Sequence, residues 1–198
     1  MRIGIDLDGV VIDSEQTFRT FEEIFDIEHN QNKLIDREEP KFQGRYSWSL
    51  EEQMEFQKYF LEVARNSSLM PGFKKVFFLL KKLGIEFVVI TARGVTPNGN
   101  FMKEMENDAK RILKRNHIHF DRYYFKQKDK LEVCLKEKVD YMIEDDYKII
   151  EKLADNGIKT LYFRDVGLKK LEENDYIKEV NNWGDIYRFL YNEIKKED

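Results

Sequence analysis

One cysteine, Cys134, stands in 198 residues, so no internal disulfide is possible and a reducing, cytoplasmic setting is expected. No apolar run approaches the roughly 18 residues that cross a bilayer, which argues against a membrane-spanning protein. No leader segment is expected either, because the opening MRIGIDLDGVVID reads as a core strand that ends in charge. Positive charge is not in surplus: the net charge is −4, a poor match for a nucleic acid polymer. Internal repeats and low-complexity segments are missing as well. What is present, 41% hydrophobic and 36% charged residues, describes a soluble globular chain able to bury a proper core. The length suits one domain, or one domain with an insert, at roughly 100–200 residues per domain. Nothing in the sequence specifies an oligomeric state.

The apolar periods alternate between two and 3.6. Arg2 to Leu7, Ile85 to Ile90, Phe120 to Phe125, Val139 to Ile143 and Lys159 to Phe163 read as five short strands. Phe73 to Leu83, Phe101 to Arg115, Asp129 to Lys138, Tyr147 to Asn156 and Trp183 to Ile194 read as helices, with Gly84 and Gly157 as stops. Strands alternating with helices predict a three-layer, Rossmann-like α/β fold, and strands without polar alternation predict a parallel sheet covered on both faces. Residues 14–70 break the rhythm. They hold no strand pattern but two helical ones, Glu15 to Ile27 and Leu50 to Arg65, the second opened by a Ser49–Glu52 capping box. Between them lies the polar, aromatic-bearing link EEPKFQGRYSWS. The expected division is a core of residues 1–13 and 71–198, with a small helical cap of residues 14–70 inserted after strand one.

Ligands of open α/β sheets bind beyond the carboxyl ends of the strands. There the sequence places Asp6-Leu7-Asp8-Gly9, Thr91-Ala92-Arg93-Gly94, the group Lys126, Lys128 and Lys130, and Glu144-Asp145-Asp146. So many carboxylates on one rim repel one another unless a cation joins them, and an all-oxygen set suits a hard divalent ion, Mg²⁺ by default. The same residue types suit phosphoryl chemistry. One aspartate can attack phosphorus, a second can move the proton of the leaving group, and a hydroxyl and a lysine can hold the phosphoryl oxygens.

The motifs DLDGVV, VVITARG, a lysine within KQKDKLEV, and MIEDD, in that order and each at a strand end, resemble the four motifs of the haloacid dehalogenase superfamily of phosphohydrolases. The resemblance covers most of the chain. It implies a Mg²⁺-dependent phosphatase in which Asp6 is the nucleophile, Asp8 the general acid and base, and Thr91 the phosphate-binding hydroxyl, with Ala92 and Arg93 beside it. It assigns a lysine of the third motif to Asp6 and the phosphate. It assigns the metal to Asp6, Asp8 through its carbonyl, and Asp145, with Glu144 or Asp146 assisting. Dehalogenation itself needs neither a second aspartate nor a metal, so Asp8 and the acidic fourth motif point to phosphoryl transfer. The cap, the ITARG motif and the VNNWGDIYRFL tail are most similar to small bacterial 5′(3′)-nucleotidase-like proteins, which implies a nucleotide or another small phosphorylated metabolite as substrate. A phosphotransferase or mutase shares all these motifs. A receiver-type phospho-acceptor shares the aspartates, threonine and lysine but carries no insert after strand one.

Several residues have two readings. Lys130, following Asp129 at a helix start, suits an inward-pointing lysine better than Lys126 or Lys128. Arg93 either orients substrate or pairs with a rim acid, and Asp146 either assists the metal or caps the next helix. Phe42, Tyr46 and Trp48 either stack on a flat substrate group or fill the cap core. His117 and His119 read as a surface loop, Cys134 as buried filler, and Thr96-Pro97-Asn98-Gly99 as a turn.

Overall fold

The computed structural model describes residues 1–39, 42–64, 67–164 and 169–197. Pro40 and Lys41 of the cap link, and Arg65 at the expected end of the second cap helix, lie outside the described residues. Six strands form one parallel sheet: β1 (Arg2–Ile5), β2 (Glu86–Ile90), β3 (Arg122–Tyr124), β4 (Tyr141–Glu144), β5 (Thr160–Phe163) and β6 (Ile177–Val180). Their order is β3-β2-β1-β4-β5-β6, so β1 is central, between β2 and β4.

Side chains alternate across the sheet, and both faces are apolar, which is why the strands lack polar alternation. Ile3, Ile5, Phe87, Val89, Ile143, Leu161 and Phe163 meet one helical layer. That layer is α4 (Phe73–Lys82), α5 (Lys103–Arg115) and α8 (Trp183–Glu197), which contribute Phe73, Phe77, Leu80, Ile112, Trp183 and Leu190. Val88, Ile90 and Met142 face the other way, against α6 (Leu131–Glu137) and α7 (Tyr147–Asp155) through Val133, Cys134 and Leu153. The three-layer expectation is met.

Two elements correct the reading of the sequence. The sheet has six strands where five were expected. β6 alternates buried and more exposed residues in IKEV at the sheet edge, and a short, partly charged segment of this kind carries little strand signal. Inside the cap link, Phe42–Arg45 forms a single helical turn, α2, too short for a periodic signal.

The insert folds as α1 (Glu15–His29), α2 and α3 (Leu50–Ala64). The capping box at α3 closes as expected: Glu52 N–H donates to Ser49 Oγ at 3.2 Å, and Ser49 N–H to Glu52 Oε2 at 2.7 Å. The aromatic rings of Phe25, Phe42, Tyr46, Trp48 and Phe56 are buried together. Each fully buried ring contributes about 1.5–3 kcal/mol, so this small unit has a core of its own. The chain enters and leaves it side by side, with Asp13 N–H donating to Ser68 O at 2.9 Å and Met70 N–H to Val11 O at 2.9 Å.

Candidate active site

The strand register sets the level of the site. Ile5 pairs with Val89 on one side and with Ile143 on the other, so the residues that follow these strands emerge together. Asp6 continues the ladder through its N–H to Ile143 O at 3.0 Å, and the residue is 6% exposed. Lys130, in the residue before α6, is 2% exposed. Its Nζ lies 2.7 Å from Asp6 Oδ1 and donates to Glu144 Oε2. Glu144 Oε1 in turn accepts the N–H groups of Asp145 at 3.2 Å and Asp146 at 3.1 Å. Asp146 takes the capping role open to it, accepting Lys148 N–H at 2.9 Å at the start of α7.

Asp145 rests on Gly9. That glycine has φ +72°, and a Cβ built on it would stand 2.0 Å from Asp145 Oδ2. Only glycine permits both the left-handed backbone and the close approach. The loop can therefore turn between Asp8 and the next residues while Asp145 stays against it.

Asp8 projects into the cleft with its side chain 35% exposed. Its Oδ1 accepts Ser14 Oγ–H at 2.8 Å and the Arg93 Nη1 group. Ser14 occupies the N-cap position of α1, yet its side chain makes no capping bond. A serine there ordinarily stabilises a helix by about 0.5–2 kcal/mol, and this hydroxyl is turned to Asp8 instead. Arg93 is buried, not superficial. It donates from Nε to Met105 O at 3.0 Å and from its backbone to Thr91 Oγ1 at 3.1 Å. Thr91 Oγ1 accepts in that bond, so its proton is available for another acceptor.

Electrostatics follow from burial and crowding. Burial, with Glu144 and Asp8 nearby, pushes the Asp6 carboxyl up to about 7 against the opposing pull of Lys130. Burial alone disfavours the Lys130 ammonium, but Asp6 and Glu144 outweigh it and raise its pKa. Carboxylate oxygens of Asp6, Glu144 and Asp145 lie within 4.8 Å of one another. A fixed all-oxygen set carrying more negative charge than Lys130 cancels fits a hard divalent cation such as Mg²⁺.

These groups line a cleft of about 220 Å³ between the rim and the cap. Asp6, Asp8, Thr91, Ala92, Arg93, Lys130, Glu144 and Asp145 all border it. Lys126 and Lys128 do not border it, and Lys126 Nζ sits 3.5 Å from the centre of the Phe101 ring. Of the three lysines, Lys130 is the one that faces Asp6. The cap aromatics divide. Phe42 borders the cleft, while Tyr46 and Trp48 stack at 4.4 Å in the cap core, with Trp48 Nε1–H donating to Asp26 Oδ1 at 2.7 Å. His117 and His119 are exposed in a loop, and burial of Cys134 pushes its thiol up to about 12, as suits inert filler. Ser14, Phe18, Glu22, Arg45 and Gln57 also border the cleft and were not singled out from the sequence. Ser14, Phe18 and Glu22 fall four residues apart on one face of α1, a spacing visible in the sequence.

No protein-family model and no curated protein matches the sequence. Solved structures do match the fold. A haloacid dehalogenase-like family hydrolase from Xanthomonas campestris aligns over 99% of this chain and 96% of its own, at TM-score 0.66 and 12% identity. A haloacid dehalogenase-like family protein from Streptococcus pneumoniae aligns over 96% and 97%, at 0.64 and 14% identity. A mutant of CbbY from Rhodobacter sphaeroides, solved in complex with xylulose-(1,5)bisphosphate, aligns over 92% and 94%, at 0.58 and 14% identity. The fold of this chain is that of the haloacid dehalogenase-like hydrolases.

Proposed function

We propose that the protein is a Mg²⁺-dependent phosphomonoester hydrolase that works through an aspartyl-phosphate on Asp6. The observation that carries this reading is the placement of Asp6 and Asp8, two residues apart on one loop, in different surroundings beside the same cleft. Lys130 holds Asp6 Oδ1, which leaves Oδ2 to attack phosphorus. As the bond from phosphorus to the leaving oxygen breaks, Asp8 gives that oxygen a proton. In the second step Asp8 takes a proton from water, the water oxygen attacks phosphorus, and Asp6 and inorganic phosphate are released. Ser14 and Arg93 hold Asp8 in place by one oxygen, and Thr91 and Lys130 are the donors for the phosphoryl oxygens. Asp6, Glu144 and Asp145, with the carbonyl of Asp8, are the oxygens offered to Mg²⁺. When bound, the ion neutralises the charge that would otherwise keep an anionic nucleophile from an anionic ester.

The substrate is a small phosphorylated metabolite, the class to which the named ligand of the CbbY structure belongs. A nucleotide is one member of that class. Water, not a second metabolite, is the acceptor in this reading, which separates it from a mutase or phosphotransferase of the same fold.

A panel of phosphate esters assayed in Mg²⁺ and in EDTA tests the reaction. Phosphate release in Mg²⁺, lost in EDTA and restored by the metal, is expected; equal rates in EDTA would remove the metal from the reading. Asp8→Asn tests the roles of the two aspartates. With p-nitrophenyl phosphate it should give a burst of p-nitrophenol and a phosphoryl adduct on the peptide bearing Asp6. Loss of all turnover with no adduct would reduce Asp8 to a metal-site residue.

A further inference from the structure

The loop that carries Asp8 is anchored from the far end of the chain. Trp183, the first residue of α8, is 1% exposed and donates from Nε1 to Val10 O at 2.9 Å, across 173 residues of sequence. Val10 is 0% exposed, and no other donor reaches its carbonyl among the described residues. The rest of the loop closes on itself. Leu7 O accepts Val11 N–H at 2.9 Å and Ile12 N–H at 2.7 Å, and Gly9 N–H donates to Ile12 O at 3.0 Å. Val10, Val11 and Ile12 are apolar and fully buried, so none of them has a side-chain group that could fix the backbone. The indole itself is held on several sides. Its ring meets Phe73 edge-on at 4.8 Å and lies 6.1 Å from the Phe163 ring. Asn182 and Asp185 fix the start of α8 by bonding reciprocally, Asp185 N–H to Asn182 Oδ1 and Asn182 Nδ2 to Asp185 Oδ2, each at 3.0 Å.

We propose that Trp183 is a positioning residue for the acid and base Asp8: its N–H holds the Val10 carbonyl and, through it, the turn that aims Asp8 into the cleft. The inference rests on the phosphatase reading and adds to it a residue that does not border the cleft. A buried indole N–H needs an acceptor, and for the fold alone any carbonyl along this wall would serve. This bond is made two residues beyond Asp8. Asp6 does not depend on it, because Asp6 N–H continues the strand ladder to Ile143 O and Lys130 holds the Asp6 carboxylate. Asp8 lies past the end of that ladder. Ser14 and Arg93 hold its carboxylate but not the backbone behind it. Loss of the Trp183 bond therefore shifts Asp8 and leaves the nucleophile in place. A displacement near 1 Å at a reacting group is worth about 100-fold in rate.

The test uses p-nitrophenyl, phenyl and benzyl phosphate, which share a ring and have progressively poorer leaving groups, on the full chain with Mg²⁺. Trp183→Phe removes the N–H and keeps an aromatic ring. It should lower kcat/KM for benzyl phosphate, whose leaving oxygen needs its proton, by about tenfold to 100-fold. For p-nitrophenyl phosphate the loss should stay below about twofold. Hydrolysis of the aspartyl-phosphate also needs Asp8, so the variant should release p-nitrophenol in a larger burst than the wild type. β-(3-Benzothienyl)alanine at position 183 keeps the shape of the indole with sulfur in place of the N–H. It should behave as Trp183→Phe does, and it decides the matter if Trp183→Phe does not fold. Phe163→Leu loosens the same ring packing without removing the N–H. It should lower the melting temperature and keep the wild-type ratio of benzyl to p-nitrophenyl rates. Equal loss on all three esters in the position-183 variants overturns the positioning role and leaves the phosphatase reading intact. A ratio changed as much by Phe163→Leu does the same. A wild type that turns over no phosphate ester overturns both.

Discussion

At the amino ends of the strands, charges meet partners. Arg2 reaches Glu86 at 2.7 Å and its backbone N–H donates to Asp140 Oδ2 at 2.6 Å. Lys81 meets Asp121 at 2.8 Å, and Glu137, 4% exposed, accepts from Arg122 and the Tyr124 hydroxyl. At the carboxyl ends of the same strands, Asp6, Asp8, Glu144 and Asp145 crowd around Lys130 and Arg93. In the first arrangement each charge is balanced by a partner, and the buried Glu137 is the member whose pairing matters most to the fold. The second holds like charges together beside the cleft, at the expense of stability. Residue types do not distinguish the two ends, because both are built from Asp, Glu, Arg and Lys. The balance of charge and the depth of burial do.

Replacing Asp6 makes the sharpest break in that comparison. Asp6→Asn should lower turnover by at least about 10⁴-fold, since no nucleophile remains. In EDTA the same variant should be more stable than the wild type, by about 1–3 kcal/mol in urea unfolding, because one buried charge of a repelling set is gone. The sign with pH is set by the raised carboxyl. Asp6 moves from 3.8 up to about 7, so its protonated form favours the fold below about 4 and that contribution is lost as pH rises through about 7. The gain of Asp6→Asn over the wild type should therefore grow across that window. Added Mg²⁺ should raise the melting temperature of the wild type and not of the variant. A variant less stable than the wild type in EDTA at neutral pH would mean that the carboxyl-end rim is paired as well as the other.

The opposite end should answer with the opposite sign. Glu137→Gln should cost about 1–2 kcal/mol of stability and leave phosphate release unchanged. The Tyr124 hydroxyl, then Arg122 and Arg2, hold the Glu137 carboxyl below its ordinary 4.5. Its contribution is present above that ordinary value and lost as pH falls through the lowered one. The deficit of Glu137→Gln should thus fade in acid, as should the gain of Asp6→Asn. Equal curves for Glu137→Gln and wild type at neutral pH would break the contrast.

The smallest effect is expected where the cap touches the core through water-exposed charge. Lys148, just inside α7, meets Glu39 of the cap at 2.8 Å with its own side chain 55% exposed. Lys148→Ala should change stability by less than about 0.5 kcal/mol, as exposed pairs do. A larger loss in urea unfolding would show that this pair, and not the rim, couples cap to core.

Much of the fold was legible. The alternation of strand and helix patterns, the covered sheet and the capping box are written in residues close in sequence, and β1, β2 and β4 stand where their apolar runs stand. β6 was not legible, because IKEV at a sheet edge shows neither a continuous run nor a strong alternation. In the site, the motif residues at the strand ends were visible because strand register brings all such ends to one level. Ser14 and Gln57 were not. A serine before a helix reads as a cap, and a glutamine in an amphipathic helix reads as surface, until the opposite wall is known.

By itself the sequence determined which residues reach the carboxyl-end rim, since a parallel sheet of apolar strands delivers whatever follows each strand to the same edge. It did not determine which of those residues meet. That Lys130 and not Lys126 faces Asp6, that Ser14 leaves its helix for Asp8, and that Arg93 is buried against Asp8 across 85 residues are decisions of packing. Periodicity encodes whether a side chain is buried. The identity of its partner depends on segments far away in the chain, and so do the depth of the cleft and the charge left unbalanced within it.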